Sequence, residues 1–197
     1  MEQLKAFLKR KNIVISAKRY GIDALGAMAQ GLFCSLLIGT IINTLGEQLG
    51  IPFLVDVGSY ASAMSGAAMA VAIGYALQAP PLVLFSLVTV GYAANALGST
   101  SLIPDQAGAG GPLAVLFIAV IAAEFGKAVS KETKIDILVT PLVTILVGVG
   151  LSAWWAPAIG TAATAVGNII MWATDLQPFL MGIVVSVVIG VALTLPI

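Results

Sequence analysis

Charged residues are confined to a few short stretches of this chain, and long apolar segments lie between them. Only 9% of the 197 residues are charged and 59% are hydrophobic, whereas a soluble domain carries about 25% charged residues. An apolar segment of about 20 residues is long enough to cross a bilayer as a helix. The pattern therefore predicts an all-α integral membrane protein that lies almost entirely in the lipid bilayer.

Seven apolar segments are predicted to form transmembrane or re-entrant helices. They cover about residues 22–45, 57–77, 82–97, 113–125, 135–155, 157–173 and 179–197. Segment 113–125 is short for a full crossing, so part of the glycine-rich stretch before it is expected at membrane depth, lining a cavity. Segment 157–173 is interpreted either as a crossing or as a re-entrant helix. The predicted fold class is an all-α polytopic membrane protein with six to seven such helices.

Small residues crowd segment 57–77, and small residues let helix backbones approach closely in lipid. We therefore expect this helix to be buried in the bundle, and a homodimer is expected to form through small-residue helices. The sequence Gln78-Ala79-Pro80-Pro81 should end the helix, because proline cannot continue it.

Basic residues mark two places that are predicted to face the cytoplasm. Six of the nine precede the first apolar segment, and the other three lie in the connection 127–134. The positive-inside rule therefore puts the N-terminus and this connection on the cytoplasmic side. The basic N-terminal stretch is interpreted mainly as a topology signal, with a short amphipathic helix on anionic lipid as the alternative.

Several function classes lack their usual residues in this sequence. The chain has no histidine and a single cysteine, Cys34, so it has no His/Cys pattern for a metal. No nucleophile with a base and no phosphate-binding loop is present, so we predict no catalytic residue, no cofactor and no enzyme. A net charge of zero argues against nucleic-acid binding.

Polar groups at membrane depth are the candidates for solute binding, because ionisable residues there are costly. Asp105 and Gln106 precede glycines whose backbone could be presented to a ligand, as in the broken helices of transporters; a solvated outer loop is an equally good interpretation of this stretch. Asn95 and Asn168 add neutral hydrogen-bonding groups for a polar, uncharged solute. Glu124 is also a candidate, but an ion pair with the lysine three residues later is the preferred interpretation.

A weak internal repeat divides the chain. The sequence Ile22-Asp-Ala-Leu recurs as Ile135-Asp-Ile-Leu, each time shortly after basic residues. Parallel repeats occur in transporters, although apolar sequences also match by chance. The predicted divisions are a basic N-terminal segment 1–21, a first membrane repeat 22–134 and an incomplete second repeat 135–197.

Three stretches, 110–127, 129–145 and 178–197, resemble the enzyme IIC-like membrane proteins of the bacterial phosphotransferase system. They read GGPLAVLFIAVIAAEFGK, VSKETKIDILVTPLVTI and PFLMGIVVSVVIGVALTLPI. The resemblance implies a sugar permease in a bacterial inner membrane, served by a separate cytoplasmic phosphocarrier. Such proteins are larger, so the chain is expected to be partial.

The resemblance also implies how a sugar would be bound, and this chain departs from that pattern. Related membrane domains use a glutamate and often a histidine for the sugar, but this chain has no histidine, and Glu124 is its only glutamate that the sequence places within a span. The predicted function is binding and translocation of a small polar solute, with a sugar expected. The alternative is a metabolite sensor derived from a permease, which signals through the connection 127–134.

Overall fold

The computed structural model describes residues 2–96 and 110–174, together with 182, 186 and 187. Within them the chain forms seven helices and no strand, which confirms the all-α class. The helices are α1 (Glu2–Arg10), α2 (Arg19–Leu49), α3 (Pro52–Ala63), α4 (Ser65–Ala76), α5 (Pro81–Ala96), α6 (Gly111–Val129) and α7 (Asp136–Thr174). Two short π-helical stretches, Arg19–Asp23 and Phe33–Leu37, lie within α2.

Helix length and surface chemistry indicate a membrane-embedded protein. Helices α2 and α6 and the part Asp136–Ala165 of α7 are long and apolar enough to cross a membrane, and α3 with α4 adds a fourth candidate if the pair is one span. Large apolar side chains such as Phe53, Phe85 and Trp154 are about three-quarters exposed, which soluble monomers rarely show over a large area. The predicted total of six to seven helices includes segment 179–197, of which the structure describes only three isolated residues.

The predicted helix 57–77 is two helices, α3 and α4, bent by 46°. The break falls at Met64 (φ −88°, ψ 6°). The two halves have different neighbours: α3 packs against the second half of α2, whereas α4 packs against the first half of α2 and against α5. Burial was therefore predicted correctly for α4, but wrongly for α3, in which only Gly58 is buried.

Helix α6 is longer than the predicted segment 113–125. It has 19 residues, so it is long enough to cross the membrane by itself. The predicted segment ended at Phe125, between Glu124 and Lys127, but the helix continues to Val129 because these two residues lie on one face and neutralise each other.

Helix α7 replaces the two predicted segments 135–155 and 157–173. It runs without interruption for 39 residues and contains Pro141 and Pro157. The expected break before Pro157 is absent, so the chain neither crosses separately nor re-enters between 157 and 173. A proline removes one backbone hydrogen bond and bends a helix, but the flanking turns can continue around it.

The buried core lies where α4, α5 and α6 meet, and α7 covers it with a stripe of small residues four apart. This stripe comprises Thr140, Thr144, Gly148, Ser152 and Ala156. A Cβ on Gly148 would come within 2.4 Å of the Val90 side chain. The hydroxyls of Thr144 and Ser152 donate to carbonyls of their own helix, so the stripe faces the core without unpaired donors.

Helices α4 and α5 cross in direct backbone contact at Gly66 and Gly91. A Cβ on Gly91 would lie 2.2 Å from the Gly66 carbonyl oxygen and 2.4 Å from the Ala70 Cβ. No side chain larger than hydrogen fits between the helices at this crossing, which is typical of small-residue helix packing in membranes.

One end of the bundle, here called the basic end, collects α1, the turn 77–80 and the connection 130–135. Helices α5 and α6 are antiparallel: a Cβ on Gly126 would contact Val83 near the start of α5, and one on Gly110 would contact Ala94 near its end. The C-termini of α4 and α6 therefore lie together at the basic end. The hydrogen bonds of the N-terminal segment bring α1 to the same place.

A buried ionic cluster as the candidate functional site

Glu124 and Lys127 form an ion pair on one face of α6, as their spacing predicts. The Lys127 Nζ lies 2.9 Å from Glu124 Oε2 and donates to Oε1 at 3.1 Å. The lysine side chain is 1% exposed and the glutamate side chain 14% exposed. A buried charge needs a partner, because the low-dielectric interior does not replace its hydration. The lysine side of the pair is thus shielded from water, whereas the glutamate side chain keeps a small exposed fraction although its Oε2 is buried.

Tyr20 supplies a third member of the cluster from the start of α2. Its hydroxyl donates to Glu124 Oε1 at 3.1 Å. Tyr20, Ala24 and Met28 are spaced four apart and share the face of α2 that packs into the core. The helical period therefore carries the tyrosine to the glutamate although 104 residues separate them.

The carbonyl of Leu77 accepts two cationic donors at the C-terminus of α4. Lys127 Nζ donates to it at 3.1 Å and the Arg19 guanidinium at 2.7 Å. The last carbonyls of a helix lack intrahelical partners and carry the negative end of the helix dipole. Two basic residues that the sequence assigned to membrane topology thus also stabilise a helix end inside the bundle.

Three helices end at the basic end in left-handed residues. Asn12 (φ 54°), Gln78 (φ 55°) and Lys131 (φ 62°) follow α1, α4 and α6. The Asn12 side-chain amide donates to Gln78 Oε1 at 2.6 Å, and its oxygen accepts from Arg19 at 3.2 Å. Asn12 and Gln78, which follow α1 and α4, are therefore joined to each other. Arg19 links them to the Leu77 carbonyl, which Lys127 also contacts.

The N-terminal helix is attached to the connection 130–135 by charge. Arg10 and Lys11 lie 2.6 and 2.5 Å from Glu132 Oε1, and Lys11 also donates to the Ser130 carbonyl. The hydrogen bond from Lys11 holds the pKa of Glu132 below its usual value, with Arg10 acting in the same direction. The contact holds α1 beside the end of α6, next to the buried pair.

Acidification should release α1 from the connection. Because the pKa of Glu132 is lower in the folded protein, this contact contributes above the unfolded pKa and is lost as pH falls through the folded one. Amide hydrogen exchange of residues 2–12, corrected for its intrinsic pH dependence, should therefore accelerate on going from pH 7 to below pH 4. Glu132→Gln should exchange fast at both pH values. Equal protection of the wild type at both pH values would contradict this assignment.

Two other predicted solute-binding residues, Asn95 and Asn168, do not lie at the cluster. Asn95 lies about 20 Å further along α5 at 1.5 Å per residue, where its amide donates to Ser65 at 3.5 Å. Asn168 is exposed on the last part of α7. Asp105 and Gln106 lie outside the described residues. Their assignment to a solute site stays a prediction. Of the three candidates that the structure describes, only Glu124 lies in the ionic cluster.

Asp136 and Thr140 form a separate contact at the start of α7. Asp136 Oδ1 accepts from the Lys131 backbone N–H at 2.7 Å and from the Thr140 hydroxyl at 2.5 Å. A carboxylate is favourable at a helix N-terminus. Asp136 therefore lies in the first turn of α7 and joins this helix to the connection 130–135, and the Thr140 hydroxyl is engaged in the same contact.

The sequence interpretation missed Tyr20 and Arg19 as members of the cluster. Both stand at the boundary between the basic stretch and the first apolar segment, where a topology signal explains the arginine equally well. The four-residue spacing of Tyr20 with Ala24 and Met28 was the available signal for the tyrosine. No signal in the sequence indicates that Leu77 receives both cations.

Comparison with known protein families identifies one family that this chain matches. Residues 22–197 match the family model described as phosphotransferase system, EIIC. The chain belongs to this family. EIIC proteins are the membrane permease components of the phosphotransferase system, so the match agrees with the resemblance in the sequence. No curated protein and no solved structure matches the chain.

In this EIIC chain, the described residues contain no group of three or more histidine, cysteine, aspartate and glutamate side chains that could hold a metal ion. The cluster instead combines one carboxylate, one phenol, two cationic groups and a helix-end carbonyl. Such a set can donate to and accept from hydroxyl groups.

Proposed function

We propose that this EIIC chain is a sugar permease in which the cluster around Glu124 lies on the path of the solute. The basic end faces the cytoplasm, where a separate phosphocarrier meets the protein. The permease class follows from the family; the sugar, the path, the orientation in a bacterial inner membrane and the phosphocarrier are the proposal.

The observation that carries this proposal is a buried ion pair whose glutamate is slightly exposed and keeps one acceptor without a hydrogen-bond donor. Charged groups within a span are costly and default to functional roles. Glu124 accepts from Tyr20 and Lys127 through Oε1, its Oε2 is buried without a hydrogen-bond donor, and 14% of the side chain is exposed. A carboxylate held in this way can accept hydrogen bonds from sugar hydroxyls, and its neighbours fix its orientation.

Ligand-dependent thermal stability tests this proposal. The full chain in detergent is screened against sugars, sugar alcohols, nucleosides and inorganic ions, because a ligand that binds only the folded state raises the unfolding midpoint. We expect a saturable rise with one class of sugar. The rise should disappear in Glu124→Gln/Lys127→Met, in which the charge pair is removed as a unit, and Asp105→Asn should reduce it if the predicted outer site contributes.

Two outcomes would contradict the assignment of Glu124. One is a sugar-dependent rise of equal size in the double variant, and the other is no rise with any sugar. The midpoint of the ligand-free double variant is the control, since it must be close to that of the wild type for the comparison to be valid.

A metabolite sensor is the second candidate, and the attachment of α1 to the connection 130–135 favours it. Arg10 and Lys11 join Glu132 next to the end of α6, the helix that carries Glu124. Solute binding at Glu124 would then alter the docking of α1, which a cytoplasmic partner could detect. Binding without uptake distinguishes this function from a permease.

A further inference from the structure

We propose that the cleft between α1 and the connection 130–135 is a binding site for a compact phosphate-bearing anion. The cleft has a volume of about 390 Å³, near the lower end of the range for small-molecule pockets. Lys127 lies at its inner side, so the cleft is next to the buried ion pair. Its size fits a phosphate ester of a small molecule.

The charge of the cleft is the first argument. Four cationic side chains and one carboxylate line it: Arg10, Lys11, Lys127, Lys131 and Glu132. Arg10 and Lys11 form ion pairs with that carboxylate. Just outside the lining residues, the negative charges of Glu124 and Asp136 are balanced in part by the positive charge of Arg19. The cleft therefore keeps an excess of positive charge. A concave site with this excess favours an anion.

The second argument is a pair of donors that lack partners. Ser130 is 3% exposed and lines the cleft, and its Oγ has no hydrogen-bond partner in the described part of the chain. A buried unsatisfied hydroxyl is uncommon and calls for an explanation. The next residue, Lys131, is exposed, and its ammonium group makes no ion pair among the described residues. A hydroxyl and an ammonium on adjacent residues suit the oxygens of a phosphate.

The opposite wall suits the neutral part of such a ligand. Asn12 and Gln78 line it, and one hydrogen bond between their amides holds them in place. The Gln78 amide nitrogen makes no hydrogen bond in the described residues, so it can donate to a hydroxyl group. A phosphate ester that also carries hydroxyl groups would contact both walls.

The same chemistry can come from a soluble phosphate ester or from the headgroup of a phosphate monoester lipid. Two probes separate these sources: inorganic phosphate with the full chain in neutral detergent, and phosphatidic acid in phosphatidylcholine nanodiscs. Chloride at equal ionic strength serves as the control for screening.

Three single variants test the assignment. Ser130→Ala should weaken binding roughly tenfold, since it removes a hydrogen bond to a charged group. Lys131→Asn should weaken it at least roughly tenfold by removing an ammonium donor, and the fold should persist because asparagine tolerates a left-handed backbone. Lys134→Asn removes an equal charge from the same connection but outside the cleft, so it should bind as the wild type does.

Each outcome either supports or overturns the proposed anion site. Saturable binding of inorganic phosphate with this pattern of variants supports a soluble ligand. The same pattern with phosphatidic acid alone supports a lipid headgroup. The proposal is overturned if neither probe binds saturably, or if Ser130→Ala and Lys131→Asn bind as tightly as Lys134→Asn. Because none of these variants alters Glu124, the result is independent of the sugar proposal.

Discussion

Replacing Lys127 by methionine should lower the free energy of unfolding by about 3–5 kcal/mol, because it leaves a buried carboxylate without its partner. Lys127 is 1% exposed, and its Nζ contacts both Glu124 and the Leu77 carbonyl. Methionine has a similar length and fills the space, so the loss arises from the charge. The Leu77 carbonyl keeps its hydrogen bond from Arg19.

The double variant Glu124→Gln/Lys127→Met is the control for this prediction. Neutral glutamine still accepts from Tyr20 and needs no counter-charge, so most of the lost stability should return. Thermal or denaturant unfolding in detergent is measured for the wild type, for Lys127→Met and for the double variant. If Lys127→Met unfolds at the same midpoint as the wild type, the pair is not buried in the way described here.

Gly91→Ala should destabilise the bundle by about 2–3 kcal/mol, at the upper end of the range for overpacking. The new Cβ would lie 2.2 Å from the Gly66 carbonyl oxygen, which belongs to a helix backbone and cannot move aside like a flexible side chain. Helices α4 and α5 would have to separate, and the contacts next to the crossing would be lost.

Gly150→Ala is the matched control, since this glycine also lies within a helix but nothing lies within 4 Å of a Cβ placed there. Alanine is the better helix former by about 0.5–1 kcal/mol, so this variant should be as stable as the wild type or slightly more stable. Unfolding midpoints of the two variants under the same conditions make the comparison. Equal midpoints would show that the close crossing at Gly66 and Gly91 is absent.

The sequence predicts the helices well where a local cause acts. Proline at positions 80 and 81 ends α4 before α5 begins, and the spacing of Glu124 and Lys127 predicts their ion pair. Small residues predict the burial of α4, because close helix packing in lipid depends on them. Each of these signals lies within a few residues of the feature that it predicts.

Features that depend on distant partners were not predictable in the same way. The bend at Met64 lies where the chain changes from one helical neighbour to others. The adjacent Ser65-Gly66 is a sequence at which helices kink, but small residues occur throughout this segment and do not single out the position. The 39-residue length of α7 was missed because Pro157 indicates a boundary locally, whereas the flanking turns continue the helix. The cluster joins Tyr20 to Glu124 across 104 residues and Leu77 to Lys127 across 50 residues, and no local signal in the sequence pairs these residues.

The predicted solute site illustrates the same division. Glu124 was identified because a carboxylate within a span is unusual, and the structure gives it defined partners. Asn95 was identified by polarity alone, and it makes a hydrogen bond between two helices at 3.5 Å, about 20 Å along the bundle from Glu124. Polarity at membrane depth marks both kinds of residue equally, so the sequence could not separate a solute ligand from a contact between helices.

Sugar uptake into membrane vesicles that contain the full chain tests the central claim most directly. Wild-type protein and the Glu124→Gln/Lys127→Met variant are compared at equal amounts of folded protein, with the sugar class that stabilises the wild type. We expect saturable uptake by the wild type and none above background by the double variant. Uptake by the double variant at the wild-type rate would contradict the claim that the buried pair lies on the path of the solute.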